Sequence, residues 1–127
     1  MPHQFDIHYT REQARALLPQ IRKWLADLNR LRAEVERYDK RLGGLNAAGQ
    51  DVGGDTVNCW IRALAGMQEI LANFQQRQIL IKDLSRGLVD FPALLGGKEV
   101  FLCWESDEDE IEFWHDLDSG YSGRERL

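Results

Sequence analysis

The chain has 127 residues, of which 43% are hydrophobic and 29% charged, and its formal net charge is −5. This length suits one domain with one hydrophobic core, and the composition excludes a disordered chain. The apolar runs are only a few residues long, whereas a membrane-spanning helix needs roughly 20, so we expect no membrane partner.

The charges are unevenly distributed along the chain. Residues 10–42 carry nine Arg and Lys against five Asp and Glu, while residues 104–118 carry eight acids and no Arg or Lys. Opposite fields of this kind can orient an association within one chain or between two chains. A protein that binds nucleic acid should present a basic face without such an acidic stretch beside it, so we expect no nucleic-acid partner.

The first predicted helix spans residues 10–42. Thr10 and Gln13 have the spacing of a capping box. Apolar residues then alternate at spacings of four and three, as in the heptads of a coiled coil. These residues are Leu17, Ile21, Trp24, Leu28, Leu31, Val35, Tyr38 and Leu42. Pro19 should kink the helix or divide it in two, and Gly43 and Gly44 should end it.

A second predicted helix spans residues 56–78, after a glycine-rich segment over residues 43–55 that we expect to be a flexible loop. Its apolar positions are Val57, Trp60, Leu64, Met67, Leu71 and Phe74. The two apolar stripes should face each other in an antiparallel hairpin. At about 1.5 Å per residue the first helix is about 15 Å longer than the second, so part of it needs another cover.

The remaining residues, 79–127, predict a β-rich block. A short strand begins at Ile79, a short edge segment ends at Pro92, and two further strands flank an acidic turn at residues 106–109 that should be a solvated hairpin tip. The predicted fold class is α+β: a long antiparallel helical hairpin, similar to a coiled coil, followed by a small antiparallel sheet of three to four strands. Residues 1–127 should form a single domain.

The register of the last two strands decides which side chains meet. Pairing Glu105 with Glu110 would place Val100 opposite His115. His115 would then lie on the apolar face, and Cys103 would face away from it. The opposite face would carry Phe101 and Trp114, and we expect a helix end, the terminal tail or a second subunit to cover it.

The two cysteines predict the redox environment. Cys59 and Cys103 are far apart and have no CxxC spacing, so we expect reduced, buried thiols rather than a disulfide or a zinc framework. The first residues lack the basic start and apolar centre of a signal peptide. Both observations favour the cytoplasm.

Several motifs resemble a family of uncharacterised bacterial proteins, grouped as domain of unknown function 2203. The motifs are LLP in the first helix and KDLSRGLVDFPAL, EVFLCW and FWHDLDSGYSGR in the C-terminal block. The matching residues of that block are Lys82, Asp83, Gly87, Asp90, Phe91, Pro92, Leu102, Cys103, Trp104, Trp114, His115, Gly120, Gly123 and Arg124. The resemblance implies a bacterial cytoplasmic protein of the same fold, and it supplies no activity, cofactor or partner.

The chain departs from the pattern of that family at two places. Arg15 stands where the family often has asparagine. The acidic residues 106–110 replace a turn that usually carries a glycine and fewer acids. A role that the family assigned to either place would not transfer to this chain.

The candidate binding residues all lie in the C-terminal block: Asp83, Arg86, Asp90, Trp104, His115, Asp118 and Arg124. His115 with Asp90 or Asp118 offers ligands for a divalent metal. A histidine on an apolar sheet face is, however, more often held by one buried hydrogen bond, so we expect no metal and no other cofactor. No serine, cysteine or lysine is placed by the sequence as a nucleophile for His115, and we predict no catalytic residue.

The two arginines allow two interpretations. Arg86 and Arg124 stand beside glycine turns, where backbone amides and guanidinium groups could bind a carboxylate or a phosphate. Alternatively, Arg124 pairs with Asp83, Asp90 or Asp118 and holds the tail over the sheet.

The residues favour a non-catalytic homo-oligomeric module for interaction or scaffolding, expected to be a homodimer, because surplus helix length and an apolar second sheet face both need a partner. A different protein could be that partner. The alternative is a small ligand-binding or metal-binding protein, or a hydrolase-like enzyme, with its site around His115 between the sheet and the first helix.

Overall fold

The computed structural model describes residues 2–47 and 54–127. Two helices, α1 (Arg11–Ala47) and α2 (Gly54–Gln76), precede one antiparallel sheet. Its strands are β1 (Leu80–Asp83), β2 (Leu88–Leu95), β3 (Lys98–Glu105), β4 (Phe113–Asp116) and β5 (Glu125–Arg126), in that spatial order. The predicted α+β class is confirmed, with five strands in place of three or four. In the described part of the chain, neither helix offers the long apolar stretch that crossing a bilayer requires.

Helix α1 begins at the predicted capping box. The Gln13 amide donates to Thr10 Oγ1 at 3.1 Å, and the Thr10 amide donates to Gln13 Oε1 at 2.9 Å. Each side chain therefore satisfies an amide that has no partner within the helix. The helix continues through Pro19 without interruption, so the predicted division into two helices is wrong.

The end of α1 also differs from the prediction. The helix passes through Gly43 and Gly44 and reaches Ala47. Glycine raises the cost of a helix but adopts helical angles without strain, so two glycines need not end one. Of the loop predicted over residues 43–55, residues 43–47 and 54–55 are helical, and residues 48–53 lie outside the described residues.

Helices α1 and α2 form the predicted antiparallel hairpin. The rings of Trp24 and Phe74 lie 5.4 Å apart, and a Cβ built on Gly66 would lie 3.2 Å from Leu31. Later positions of α1 thus meet earlier positions of α2. Ala63, one turn before Gly66, is 3% exposed, so α2 approaches α1 through small residues.

The first half of α1 packs against one face of the sheet, here called the inner face. Its buried residues are Ala14, Leu18, Ile21, Leu25 and Leu28, and those of the sheet are Val89, Phe91, Ala93, Val100, Leu102 and Trp104. The sheet is therefore the cover that the surplus length of α1 needs. This part of the helix gives no reason to expect a second subunit.

Strand β2 is an interior strand and not the predicted edge segment. It pairs with β3 along its whole length, but β1 pairs only with residues 88–90. Pro92 has no amide hydrogen, but it lies beyond the end of β1, so no β1 carbonyl needs a donor at this position. Its carbonyl accepts a hydrogen bond from the Tyr9 amide at 2.7 Å.

Glycines with positive φ form the two turns that flank β2. Gly96 (φ +59°) and Gly97 (φ +81°) connect β2 to β3 in a two-residue turn between Leu95 and Lys98. Gly87 (φ +66°) ends the turn between β1 and β2, and a Cβ there would lie 2.6 Å from the Cβ and Oγ of Ser106.

We predict that Gly87→Ala lowers the free energy of unfolding by about 2–4 kcal/mol, because it adds a steric clash to the cost of a left-handed residue. Urea unfolding measures the change. Gly96→Ala is the matched control, since its φ is similar but nothing lies within 4 Å of the added Cβ. It should cost only about 1 kcal/mol. Equal losses in the two variants would show that Ser106 moves away without cost.

Candidate functional site

The candidate residues lie mainly on the sheet face away from the helices, here called the outer face. β3 and β4 pair Phe101 with His115, so the predicted pairing of Val100 with His115 is wrong by one residue. A shift of one residue moves every side chain of a strand to the opposite face. His115 therefore shares the outer face with Cys103, and the predicted position between the sheet and the first helix is also wrong.

Asp90, Cys103 and His115 meet at the centre of the outer face. Asp90 of β2 lies directly opposite Cys103 of β3, and β4 supplies His115. One carboxylate oxygen, the thiol sulfur and one ring nitrogen all lie within 4.8 Å of one another. The three residues, here called the outer cluster, are at most 2% exposed.

Both ring nitrogens of His115 have partners. Nδ1 lies 2.7 Å from the backbone carbonyl oxygen of Asp116, which can only accept, so Nδ1 carries a hydrogen. Nε2 lies 3.0 Å from Oδ2 of Asp90. The second oxygen of Asp90, Oδ1, is buried and has no hydrogen-bond partner among the described residues. The Cys103 thiol, a weak donor, is the other group that bonds to the Asp90 carboxylate besides His115, so Oδ1 lacks a strong donor.

The environment of the cluster suppresses ionisation of its acids. Burial raises the pKa of the Cys103 thiol to about 12, and the Asp90 carboxylate adds to that rise. Burial also raises the pKa of Asp90, although His115 and Lys82 act in the opposite direction. A thiol that holds its proton so firmly is a poor nucleophile. Cys103 therefore does not supply the nucleophile that His115 lacked in the sequence.

A cavity of about 150 Å³ opens beside the outer cluster. Its other lining residues are Lys82, Leu88, Ser119, Gly120 and Tyr121. A water molecule occupies roughly 30 Å³ in the liquid, so the cavity has room for several waters or a small ligand.

Segments from both ends of the chain cover the outer face. The Phe5 ring packs edge-on against Phe101 at 5.4 Å, and Tyr121 of the C-terminal tail lines the cavity. A terminal tail was one of the predicted covers. Trp114, which was predicted on this face, instead packs against the core on the inner face.

Arg124 holds the C-terminal tail in place through Glu108. Its Nη1 and Nη2 donate to the two oxygens of Glu108 at 3.2 and 2.6 Å. Nη1 also lies 3.9 Å from the Cys103 sulfur, and the guanidinium lies 3.9 Å from the centre of the Phe113 ring. The predicted role in fixing the tail fits this geometry, but the predicted partners Asp83, Asp90 and Asp118 are wrong.

Arg86 is also paired within the chain. Its Nη2 donates to both oxygens of Glu105, at 3.0 and 2.9 Å, and its guanidinium lies 4.4 Å from the centre of the Tyr121 ring. Asp83 accepts a hydrogen bond from the backbone amide of Arg86 at 3.1 Å. A carboxylate thus already occupies each guanidinium that was predicted to bind an anion.

The other two predicted residues lie away from the outer cluster. Trp104 is buried on the inner face, where its Nε1 donates to the Glu108 carbonyl oxygen at 2.9 Å. Asp118 is exposed and borders an open depression together with Lys98 and Asp116. The structure therefore brings together Asp90, His115 and, around them, Arg124, and it adds Cys103, whose place on this face the wrong register had hidden.

A second group of metal-ligating side chains, His3, His8 and Glu99, lies near the N-terminus. His8 Nε2 lies 2.7 Å from Glu99 Oε2. The Glu99 carboxylate also accepts hydrogen bonds from the amides of Gln4 and Phe5, at 2.8 and 3.1 Å. In contrast to Asp90, this carboxylate is satisfied by the chain itself, and the group fixes the N-terminal segment to β3.

One side of α2 forms a second candidate surface. Val57, Trp60, Ile61, Leu64, Gln68, Leu71 and Gln75 fall within an arc of about 100° on the helix. Ile61 is 51% exposed and Leu71 is 39% exposed. The charged residues of α2, Asp55, Arg62 and Glu69, all lie outside this arc. We call this uncharged, partly exposed side the α2 flank.

Comparison with known proteins identifies the family. The model of the family described as "Uncharacterized conserved protein (DUF2203)" matches residues 8–127. The chain therefore belongs to this family, and the resemblance noted in its motifs is confirmed. No curated protein and no solved structure gives a significant match.

We predict that the two thiols differ strongly in reactivity. At pH 8 only about one in ten thousand Cys103 side chains is a thiolate if its pKa is about 12, and the residue is buried, whereas Cys59 is half-buried on α2. Native protein treated with a thiol reagent should show one reacting cysteine, and a second only after unfolding. Cys59→Ser should abolish the native reaction. Rapid labelling of that variant would contradict the burial of Cys103.

We predict that His115→Ala lowers the free energy of unfolding by about 3–5 kcal/mol in buffer with chelator, since it leaves the buried Asp90 carboxyl group without its partner. Urea unfolding at neutral pH measures the loss. Asp90→Asn is the matched variant, because its amide can still donate to Nε2, and it should cost about 1 kcal/mol. Similar small losses for both variants would show that the pair contributes little to stability.

Proposed function

We propose that this family member is a non-catalytic homodimeric interaction module of the bacterial cytoplasm, in which two copies associate along the α2 flank. The observation that carries the proposal is the uncharged apolar side that α2 leaves partly exposed. The sequence had suggested a dimer because of the surplus length of α1 and the apolar second face of the sheet. Neither argument holds, because the sheet covers the surplus length of α1 and the chain termini cover the outer face.

The way in which α2 meets α1 explains why the flank is exposed. The most buried positions of α2 are Thr56, Ala63 and Phe74, which lie along one side of the helix, and Phe74 packs against Trp24 of α1. Large apolar residues such as Leu64 and Leu71 lie to one side of this line, so the apolar stripe predicted for α2 faces α1 only in part. A two-helix hairpin gives each helix only one neighbour, whereas a four-helix bundle would bury this side as well.

The chemistry of the flank favours a second copy as the partner. A two-fold axis brings the same patch of both subunits together, so a charged patch would repel itself. The flank contains two glutamines and no charged residue. Two hairpins could thus pair without burying an uncompensated charge. In this arrangement the heptads of α1 and α2 belong to a short antiparallel coiled coil that the partner completes.

Three further observations support the non-catalytic and cytoplasmic parts of the proposal. The high pKa of Cys103 makes this thiol a poor nucleophile, and Arg86 and Arg124, the two guanidinium groups predicted to bind an anion, are each paired with a carboxylate of the chain. Cys59 and Cys103 are both free thiols, which suits a reducing compartment. The bacterial origin rests on the motifs shared with the family.

We predict that the wild-type protein is a dimer and that Leu71→Glu makes it a monomer. Each substitution acts twice across a two-fold axis, and loss of two buried leucines should raise the dissociation constant more than about a hundredfold. Light scattering coupled to size-exclusion chromatography over a dilution series measures the mass.

Leu95→Glu is the matched control for this experiment. Leu95 is 41% exposed, close to the 39% of Leu71, but it lies at the turn between β2 and β3. Its substitution should leave the dimer intact. A monomeric wild-type protein would refute the proposal, and a dimer that only Leu95→Glu dissociates would place the interface on the sheet.

A further inference from the structure

The outer cluster has the composition of a metal site. Asp90, Cys103 and His115 offer a carboxylate oxygen, a sulfur and an imidazole nitrogen, from three neighbouring strands. Zn²⁺ accepts all three kinds of ligand, in tetrahedral geometry. Because regular strands supply the ligands, a metal would not have to order a loop in order to bind.

His115 Nε2 and Asp90 Oδ2 face each other in the cluster. Nδ1 of His115 is engaged by the Asp116 carbonyl, so Nε2 is the ring nitrogen left to meet Oδ2 of Asp90, 3.0 Å away. Two such atoms need a proton or a cation between them. The same carboxylate has its other oxygen buried and unpartnered in the part of the chain that the structure describes. Apart from the weak Cys103 thiol, no donor satisfies this second oxygen, so the carboxylate can still accept a cation.

We propose that the outer cluster is a Zn²⁺ site in which Asp90 Oδ, Cys103 Sγ and His115 Nε2 bind the ion and a water from the adjacent cavity takes the fourth position. On binding, the Cys103 thiol releases its proton to solvent and the thiolate binds the metal. This site goes beyond the proposed dimerisation and does not depend on it.

The charge balance suits a buried site. One carboxylate and one thiolate carry two negative charges, and a neutral imidazole carries none, so the divalent ion and its three protein ligands together would be neutral. A neutral assembly avoids most of the cost of burying charge. The hydrogen bond from Nδ1 to the Asp116 carbonyl is the outer contact that orients a zinc-bound histidine.

The geometry requires a small contraction. Bonds of about 2.0–2.3 Å to a tetrahedral ion hold ligand atoms about 3.3–3.8 Å apart. The donor atoms now lie within 4.8 Å of one another, with the shortest measured separation at 3.0 Å. Side-chain adjustments of about 1 Å would therefore complete the site, and the cavity of about 150 Å³ admits the fourth ligand.

Two cations border the site, and neither occupies it. The Lys82 ammonium lies 5.5 Å from the centre of the Phe101 ring and is exposed. The Arg124 guanidinium is engaged by both oxygens of Glu108, although its Nη1 lies 3.9 Å from Cys103 Sγ.

The first test is a Zn²⁺ titration of untagged protein that has been freed of metal with a chelator, in competition with a chromophoric chelator. We expect one Zn²⁺ per chain, confirmed by native mass spectrometry. Cys103→Ser and Asp90→Asn should each weaken binding more than about tenfold, since even outer-shell changes cost about 10–100-fold. His8→Ala is the matched control at the N-terminal group and should bind as the wild type does.

The second test does not depend on whether a variant folds. Co²⁺ added to the wild-type protein should give a thiolate-to-cobalt charge-transfer band and the strong visible absorption of a tetrahedral ion. Lack of binding by the wild type, a weak octahedral spectrum without the thiolate band, or loss of binding in His8→Ala would each overturn the proposal. Displacement of Co²⁺ by Zn²⁺ with loss of the band would support it.

Discussion

Glu108 connects parts of the chain that are distant in sequence. Its carboxylate accepts a hydrogen bond from the Glu105 amide at 2.8 Å, and its own amide donates to the Glu105 carbonyl at 2.9 Å. Its carbonyl accepts from Trp104 Nε1 and from Arg22 of α1, both at 2.9 Å. The same carboxylate holds Arg124 of the C-terminal tail. One residue thus joins β3, α1 and the tail, in a segment that the sequence had predicted to be a solvated tip.

The outer face depends on these contacts in two ways. They anchor the connection between β3 and β4 to the end of β3, and β4 begins at Phe113, with His115 paired to Phe101. They also fix Arg124, and with it the tail segment whose Tyr121 lines the cavity beside Cys103. The burial of the outer cluster therefore follows from a loop at the end of β3 as much as from the strands that carry its ligands.

Local signals predicted the helices and the fold class, because a capping box and heptad spacings involve only nearby residues. The register of β3 and β4 could not be obtained in the same way. Ile111 fits the alternation of apolar and polar residues that is typical of a strand, yet it lies outside the strands and is buried in the core. Either register places apolar residues opposite one another, so alternation cannot decide between them. The contacts of Glu108 with Arg22 and Arg124 link residues that are distant in sequence, so no local pattern indicates them. Strand β5 has only two residues, too few for a pattern that could predict it.

Arg15 and the acidic segment 106–110, the two places expected from the sequence to depart from the family pattern, contact each other. Arg15 Nη2 lies 2.9 Å from Oε1 of Glu110, the last residue of the acidic segment. The side chains are 63% and 38% exposed, and such a pair contributes at most about 1 kcal/mol. Arg15 and Glu110 thus form one exposed attachment between α1 and the loop, and the segment 106–110 includes no residue of the outer cluster or the α2 flank. The outer cluster and the α2 flank also share no residue, so the proposals of dimerisation and of metal binding can be tested independently.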